Sequence, residues 1–196
     1  MTRKEKKKLK KYLPVLLLVG GGAVAYAISR SRSTNQDEGG EDPGGEDPGA
    51  QDHGLPLANL PRGLSNNNPL NIKLTSISWL GKVPKNQNTD GTFEQFFELS
   101  NGYKATITNL LAYKNLGYNT LRKIIEHWAP YDAGNYLTYV STQSGLAPDE
   151  ILTDNVYNKA KNLWGIVRPM AIFENGVGYT AQVESTWDSF LKGFQS

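Results

Sequence analysis

The stretch Met170-Ala171-Ile172-Phe173-Glu174-Asn175-Gly176 closes the longest helical pattern of this chain and places one carboxylate on its apolar stripe. Upstream apolar residues recur at helical spacing, at Val156, Ala160, Leu163, Val167 and Met170. Glu174 occupies the next step of that stripe, so its side chain is expected to face a core or a cleft. Pro169 predicts a kink or break of the helix near residues 165–168.

Glu174 is the candidate catalytic residue of the sequence. Burial disfavours the ionised form of a carboxyl group and raises its pKa, and the partial negative charge of a helix C-terminus acts in the same direction. A carboxylic acid that stays protonated near neutral pH is suited to cleave a glycosidic bond as a general acid. The alternative is a Glu at a frayed helix end that swings into solvent before Gly176.

Four compositional zones divide the 196 residues of the chain. Residues 1–11 hold seven Lys/Arg, residues 12–28 carry no charge and are mostly apolar, and residues 29–54 are an acidic linker rich in Gly and Pro. That linker composition cannot bury a core and predicts disorder. Only residues 55–196 have the mixture expected of a globular core, and their number is normal for a single domain.

The apolar segment 12–28 predicts a transmembrane helix, with a cleaved signal peptide as the alternative. Its seventeen residues are at the lower limit for spanning a bilayer. Arg30 and Arg32 follow as the stop flank of an anchor, whereas Ala25-Tyr26-Ala27 has the small-x-small form of a cleavage site. The basic N-terminus predicts a single-pass protein of a bacterial inner membrane or a virion membrane, with the C-terminal domain on the opposite side.

Several classes of site and partner are excluded by composition. The chain has no Cys, which excludes disulfides, thiolate metal sites and a Cys nucleophile. His53 and His127 are too far apart to suggest a metal site, and no metal or cofactor is expected. His127 lies beside apolar helix positions and predicts a partly buried structural residue. From Leu55 onward twelve Lys/Arg balance eleven Asp/Glu, so no basic field suggests nucleic-acid binding.

The domain pattern predicts a mainly α fold with a small β hairpin. Residues 72–79 and 92–96 alternate like strands and are linked through the turn dipeptide Asp90-Gly91. Helices are predicted at residues 100–115, from the Thr120 N-cap to Pro130, at 133–143 and at 153–174. Before the hairpin, Asn66-Asn67-Asn68-Pro69 is a turn signal whose amides suit either sugar binding or the internal bonding of a loop.

A series of motifs in this domain resembles a family of phage and prophage virion-associated structural proteins. The motifs are Asn66-Asn67-Asn68-Pro69-Leu70-Asn71-Ile72, Trp79-x-Gly81, Asp90-Gly91-x-Phe93-x-x-Phe96, Thr120-Leu121-x-x-Ile124-Ile125-x-x-Trp128-Ala129-Pro130 and Ala171-x-x-Glu174-Asn175-Gly176. Members look like lysozyme-superfamily domains of the glucosaminidase and lytic transglycosylase kind, which implies a lysozyme-like fold. In such enzymes the catalytic Glu precedes the Asn-rich block. Here Glu174 follows it, and a circularly permuted arrangement would explain the difference.

The resemblance implies a phage virion-associated peptidoglycan glycosidase that cleaves glycan strands during cell entry or lysis, with lytic transglycosylase chemistry favoured over hydrolysis. Glu174 is the acid, and Glu94 the first candidate for a second catalytic group, ahead of Asp90 and Glu98. The expected substrate-binding residues are Asn67, Asn68, Asn71, Trp79, Asn175 and Tyr179. The alternatives are a virion structural protein that binds peptidoglycan or other virion proteins without cutting, and a cellular wall enzyme held in the membrane.

Overall fold

Helices form most of the secondary structure of residues 60–196, the part of the chain that the computed structural model describes, and none lies between Ser65 and Leu99. The helices are α1 (Arg62–Ser65), α2 (Leu99–Asn115), α3 (Leu121–Trp128), α4 (Ala133–Ser144), α5 (Asp154–Tyr157), α6 (Ala160–Asn175), α7 (Thr180–Glu184) and α8 (Trp187–Gln195), with a 3-10 turn at Val177–Tyr179. The predicted bounds of α2, α3 and α4 are confirmed to within two residues. The Thr120 hydroxyl caps α3 as predicted, because it accepts a hydrogen bond of 3.2 Å from the Lys123 amide.

The long helix predicted at residues 153–174 is two helices, but they do not separate at Pro169. Asn158 and Lys159 lie between α5 and α6, and α6 continues through Pro169 to Asn175. A proline ring collides with the carbonyl group four residues earlier, and that residue is Gly165, whose Cβ position has no neighbour within 4 Å. Pro169 is itself buried, together with Val167 and Met170 of the apolar stripe of α6.

The predicted β hairpin is wrong: residues 60–196 contain two isolated bridges, Lys73↔Phe93 and Lys82↔Phe96, and no strand. Side chains take the backbone groups that a ladder would need. The amide of Ile72 donates to Oδ1 of Asn68, and the carbonyl oxygen of Glu94 accepts from Nδ2 of Asn68, both at 2.9 Å, so the next pair of ladder groups bonds to this side chain instead. The expectation of a lysozyme-like α+β fold is therefore corrected to a helical fold for these residues.

The core joins α2 to both α6 and α8 through aromatic side chains. The ring of Tyr103 lies 5.8 Å from that of Trp164 and 5.6 Å from that of Phe190, in edge-on geometry. At Gly102 the backbone of α2 touches the Asn-rich loop, since a Cβ atom there would lie 1.9 Å from the carbonyl oxygen of Asn67. Helix α2 thus supports the loop that faces the end of α6.

The predicted membrane segment 12–28 and the linker 29–54 lie outside the described residues. Within residues 60–196, no helix has both the length and the apolar character needed to cross a membrane.

Candidate active site

Glu174, on the last turn of α6, holds its carboxyl group within a set of hydrogen-bond donors. The indole Nε1 of Trp128 donates to Oε1 at 3.1 Å, and Nδ2 of Asn71 donates to Oε2 at 3.1 Å. The hydroxyl of the buried Tyr136 donates to the main-chain oxygen of Met170, one turn earlier on α6, at 3.3 Å. Glu174 is half-buried as a residue, so an enclosed carboxyl group sits on a residue that still reaches the surface. This arrangement contradicts the alternative of a side chain that swings freely into solvent.

The environment of Glu174 favours the protonated acid near neutral pH. Burial is the dominant cause and raises the pKa of its carboxyl to about 7. Hydrogen bonds from Asn71 and Trp128 lower this pKa because they stabilise the ionised form, and the negative charge of Asp132 raises it. Desolvation, which the apolar stripe predicts, therefore changes the pKa of Glu174 more than its hydrogen bonds do.

Asn71 links the Asn-rich loop to the end of α6. Its Nδ2 donates to the main-chain oxygen of Glu174 at 3.2 Å as well as to the carboxylate. The backbone φ of Asn71 is +50° and that of Asn67 is +52°, values at which Asn is tolerated better than other residues with side chains. The structure thus brings two of the predicted site residues, Asn71 and Glu174, into direct contact.

Asn68 and Asn175, also predicted to bind substrate, are buried and bond within the fold. Asn175 donates to the carbonyl oxygens of Pro69 and Ala171, both at 2.8 Å, and accepts from the Leu64 amide at 3.2 Å. Asn68 donates to the carbonyl oxygens of Ile72 and Glu94, both at 2.9 Å. These amides fix the loop and α1 against α6. The side chains of Asn68 and Asn175 therefore hold the loop that carries Asn71, and in this structure their amide groups are bonded within the fold.

Glu94 and Trp79 belong to a second buried cluster around Thr75. Oε1 of Glu94 accepts hydrogen bonds from the amide and hydroxyl of Thr75 and from Nζ of Lys82, each at 2.8 Å. The indole of Trp79 donates to the Thr75 hydroxyl at 3.2 Å. None of these contacts includes Glu174, so the structure does not bring the two predicted catalytic carboxylates into one hydrogen-bonded group.

The remaining predicted residues lie outside the hydrogen-bonded group around Glu174. Asn67 is half-buried and donates to the carbonyl oxygen of Phe96 at 3.0 Å, while Tyr179 is half-buried at the end of the 3-10 turn. Asp90 forms an ion pair with Arg62 at 3.3 Å, and Glu98 with Lys192 at 2.6 Å. Both of these carboxylates therefore have a cationic partner of their own.

Trp128 and Tyr136 are the site residues that sequence reasoning missed. Trp128 fits the apolar stripe of α3, whereas Tyr136 is not singled out by the sequence pattern of α4. Both side chains carry a polar group at the end of an aromatic ring, which requires a hydrogen-bond partner once the ring is buried. The sequence does contain the relevant signal: a buried acid with no predicted partner, and two buried aromatic residues that each need a hydrogen-bond partner.

His127, predicted to be a partly buried structural residue, is confirmed as one. Its ring stacks on Tyr118 at 4.7 Å and meets Tyr113 edge-on at 4.8 Å, and burial lowers its pKa. Among residues 60–196, no group of three or more His, Asp or Glu side chains is arranged to hold a metal ion.

A separate depression of about 460 Å³ lies beside the other end of α6. It is lined by residues of the segment 144–156 and by Lys161, Asn162 and Gly165 of α6. It shares no lining residue with the group around Glu174. The two features are therefore distinct.

These residues define a helical domain with a protonatable carboxyl group at the meeting point of α6, α3, α4 and an Asn-rich loop. The chain is 33% identical over 141 residues to Protein P5 of Pseudoalteromonas phage PM2, a match that covers 68% of this chain and 80% of Protein P5. No protein-family model matches the chain. The chain belongs to the family of Protein P5 and is thus a member of a phage protein family.

Proposed function

We propose that this chain is a phage virion-associated protein whose domain cleaves the glycan strands of peptidoglycan, with Glu174 as the general acid. The observation that carries the proposal is the carboxyl group of Glu174, which accepts hydrogen bonds from Trp128 and Asn71 and has its pKa raised by burial to about 7. An acid whose pKa is near the working pH is protonated in a large fraction of molecules and still transfers its proton readily.

The chemistry needs one protein acid at its first step. Glu174 donates its proton to the glycosidic oxygen, the bond between that oxygen and the anomeric carbon breaks, and the leaving sugar departs as an alcohol. In a lytic transglycosylase the C6 hydroxyl oxygen of the same sugar then bonds to the anomeric carbon, and its proton returns to Glu174. In a hydrolase, water supplies the oxygen and the proton. The ion-paired state of Glu94, Asp90 and Glu98 supports the first route.

A second candidate function is a virion structural protein that binds peptidoglycan or other virion proteins without cutting them. The relationship to Protein P5 supports the phage part of the proposal and is neutral on catalysis, so it agrees at least as well with this candidate. The internal hydrogen bonds of Asn68 and Asn175 favour it too, because amides committed to the fold do not need a substrate to satisfy them.

Attachment to a lipid bilayer through residues 12–28 is part of the proposal. It rests on the sequence pattern, an apolar segment between a basic start and Arg30. A domain held in this way by an acidic spacer would act on a wall layer close to the membrane.

The test is digestion of purified peptidoglycan by the full chain in mild detergent. Wild type should release soluble muropeptides, and mass spectrometry should find anhydro ends if the transglycosylase route operates. Glu174→Gln keeps the size of the side chain but cannot donate the proton, and should lower the rate about 10²- to 10⁴-fold. Glu126→Gln, an exposed Glu on α3, is the matched control and should keep the wild-type rate.

Two results would decide between the candidates. Release by Glu174→Gln at the wild-type rate would refute the role of this residue. Wild-type protein that co-sediments with peptidoglycan yet releases no soluble product would favour the structural candidate over the enzyme.

A further inference from the structure

Trp128, the last residue of α3, is packed with its indole N–H against the carboxyl group of Glu174. The residue is 8% exposed, and its ring meets the ring of Tyr113 edge-on at 6.2 Å. Nε1 donates to Oε1 of Glu174 at 3.1 Å, across 46 residues of chain. An indole has a single N–H, which donates and cannot accept. Trp128 therefore needs Oε1 to remain an acceptor in both protonation states of the carboxyl group.

Asn71 contacts the other carboxyl oxygen in a different way. Its Nδ2 has two acceptors on Glu174, Oε2 at 3.1 Å and the main-chain oxygen at 3.2 Å. The second bond fixes the orientation of the amide, because turning the amide over would bring its own oxygen against that main-chain oxygen. Asn71 therefore donates to Glu174 and does not accept from it. When Oε2 takes up a proton, Nδ2 still has the main-chain oxygen as an acceptor.

The two donors differ in what each loses when Glu174 is protonated. A proton on Oε1 would weaken the bond of the only N–H group of a buried indole, and a buried donor without a good partner is costly. A proton on Oε2 weakens one of the two bonds that Nδ2 of Asn71 makes. The proton is therefore favoured on Oε2, and neither Trp128 nor Asn71 offers it an acceptor.

Both donors also act on the carboxylate that forms when the proton leaves. Hydrogen bonds to an ionised acceptor are about twice as strong as those between neutral groups. The N–H groups of Trp128 and Asn71 are already in place, so charge that develops on the carboxyl oxygens of Glu174 is stabilised without rearrangement.

The other titratable groups around this carboxyl come from the start of α4 and from α3. The charge of Asp132 raises the pKa of Glu174 and so opposes the two donors. The hydroxyl of Tyr136 donates to the main-chain oxygen of Met170, and the ring of His127 packs against two tyrosine rings. The indole of Trp128 is therefore the donor on α3 that acts directly on the acid.

We infer that Trp128 is a positioning residue, which directs the acid proton of Glu174 to Oε2 and stabilises the carboxylate that remains after proton transfer. The catalytic part of this inference rests on the proposed glycosidase function. As the bond between Oε2 and its proton breaks, the electron pair stays on the carboxylate and the proton bonds to the glycosidic oxygen. The bond from that oxygen to the anomeric carbon breaks, and its electron pair stays on the oxygen. The indole N–H then bonds a charged oxygen instead of a neutral one, so it stabilises the transition state more than the resting acid.

The first experiment follows the Trp128 indole by NMR in the full chain in mild detergent, labelled with ¹⁵N at its four Trp residues. The Trp128 signal, identified by its contacts with the ring of Tyr113, should move downfield as pH rises through about 7, the pKa of Glu174, because the bond to the ionised acceptor is stronger. Glu174→Gln should abolish this movement. A Trp128 signal that does not titrate in the unsubstituted chain would overturn the inference.

The second experiment measures cleavage of soluble, uncrosslinked glycan strands by Trp128→Phe, which keeps an aromatic ring and removes the N–H. The alkaline limb of kcat/KM should move to higher pH by about one unit, because the pKa of Glu174 rises when the ionised form loses a donor. On the acid side of that limb, kcat should nevertheless fall about 3- to 30-fold at unchanged KM, since proton transfer leaves a less stabilised carboxylate. Loss of packing alone would admit water and move the limb to lower pH.

The matched control is Trp187→Phe on α8, where the indole ring stacks on Phe190; it should leave kcat and the limb unchanged. An unmoved or lowered limb in Trp128→Phe would overturn the inference while the role of Glu174 stands. A raised limb with kcat within twofold of wild type would also overturn it, because the bond would then be equally strong before and during transfer. Absence of cleavage by wild type, together with an indole signal that titrates, would refute the proposed function and the catalytic part of the inference.

Discussion

The free energy of unfolding of this protein should fall as pH rises through the neutral range, and Glu174 should be responsible. An ordinary Glu, as in the unfolded chain, titrates at 4.5, whereas burial raises the pKa of Glu174 in the folded state to about 7. Below pH 4.5 both states hold the proton and Glu174 has no effect. Between the two values the unfolded chain releases its proton and the folded chain keeps it, so each rise in pH favours unfolding.

The magnitude follows from the distance between these two pKa values. At about 1.4 kcal/mol per pH unit, the folded state loses about 3 kcal/mol relative to the unfolded state by the time pH exceeds 7, and the loss then levels off. Because typical domains are stable by about 5–15 kcal/mol, this loss is easily measured.

The assay is urea unfolding of wild type and Glu174→Gln at intervals from about pH 4 to pH 9. Gln has no titrating proton, so the stability of the variant relative to wild type should increase by about 3 kcal/mol across this range. The substitution also alters hydrogen bonds, but a change in stability that is the same at every pH cancels when the difference between variant and wild type is compared across the pH range. Glu126→Gln should follow wild type at every pH. Parallel curves for wild type and Glu174→Gln would mean that Glu174 titrates as an ordinary Glu and would refute the argument from burial.

Two further predictions concern the support of the site and the N-terminus. Gly63→Ala should lower the free energy of unfolding by about 1–3 kcal/mol, because the added Cβ would lie 2.5 Å from Oδ1 of Asn175. Gly134→Ala, in α4 with open surroundings, should raise the free energy of unfolding by about 0.5–1 kcal/mol in the same urea assay. Equal effects of the two substitutions would contradict the packing argument. The mature chain should keep its N-terminus and fractionate with detergent-solubilised membranes, whereas a mass that places the N-terminus at Ile28 would indicate a cleaved signal peptide and end the anchor proposal.

Local signals predicted α2, α3 and α4 because those signals depend on neighbouring residues, whereas α1, α7 and α8 were not predicted. The cap at Thr120 and the apolar spacing of α3 act within a turn or two of the chain, and both are confirmed. The stripe of α6 likewise carried Glu174 to a buried position. Of the two outcomes predicted at Pro169, a break is contradicted because α6 continues through this residue to Asn175.

The hairpin failed for a related reason. Alternating residues at 72–79 and 92–96 are compatible with strands, yet their backbone groups have competing partners. The side chain of Asn68 bonds both the amide of Ile72 and the carbonyl oxygen of Glu94, and two isolated bridges remain in place of a ladder. Sequence periodicity indicates which side chains are buried. It does not indicate which groups form hydrogen bonds with the backbone amides and carbonyl oxygens.

Within residues 60–196, the sequence by itself determined where α2, α3 and α4 lie and that a lone acid would lie on the apolar stripe of the last long helix. Only the tertiary structure decided what surrounds that acid. Asn71 is 103 residues from Glu174 in the chain and Trp128 is 46 residues away, yet both donate to its carboxyl group. The pKa of a buried acid depends on such partners and on the water they exclude, and these arise from packing between distant segments that no local pattern records.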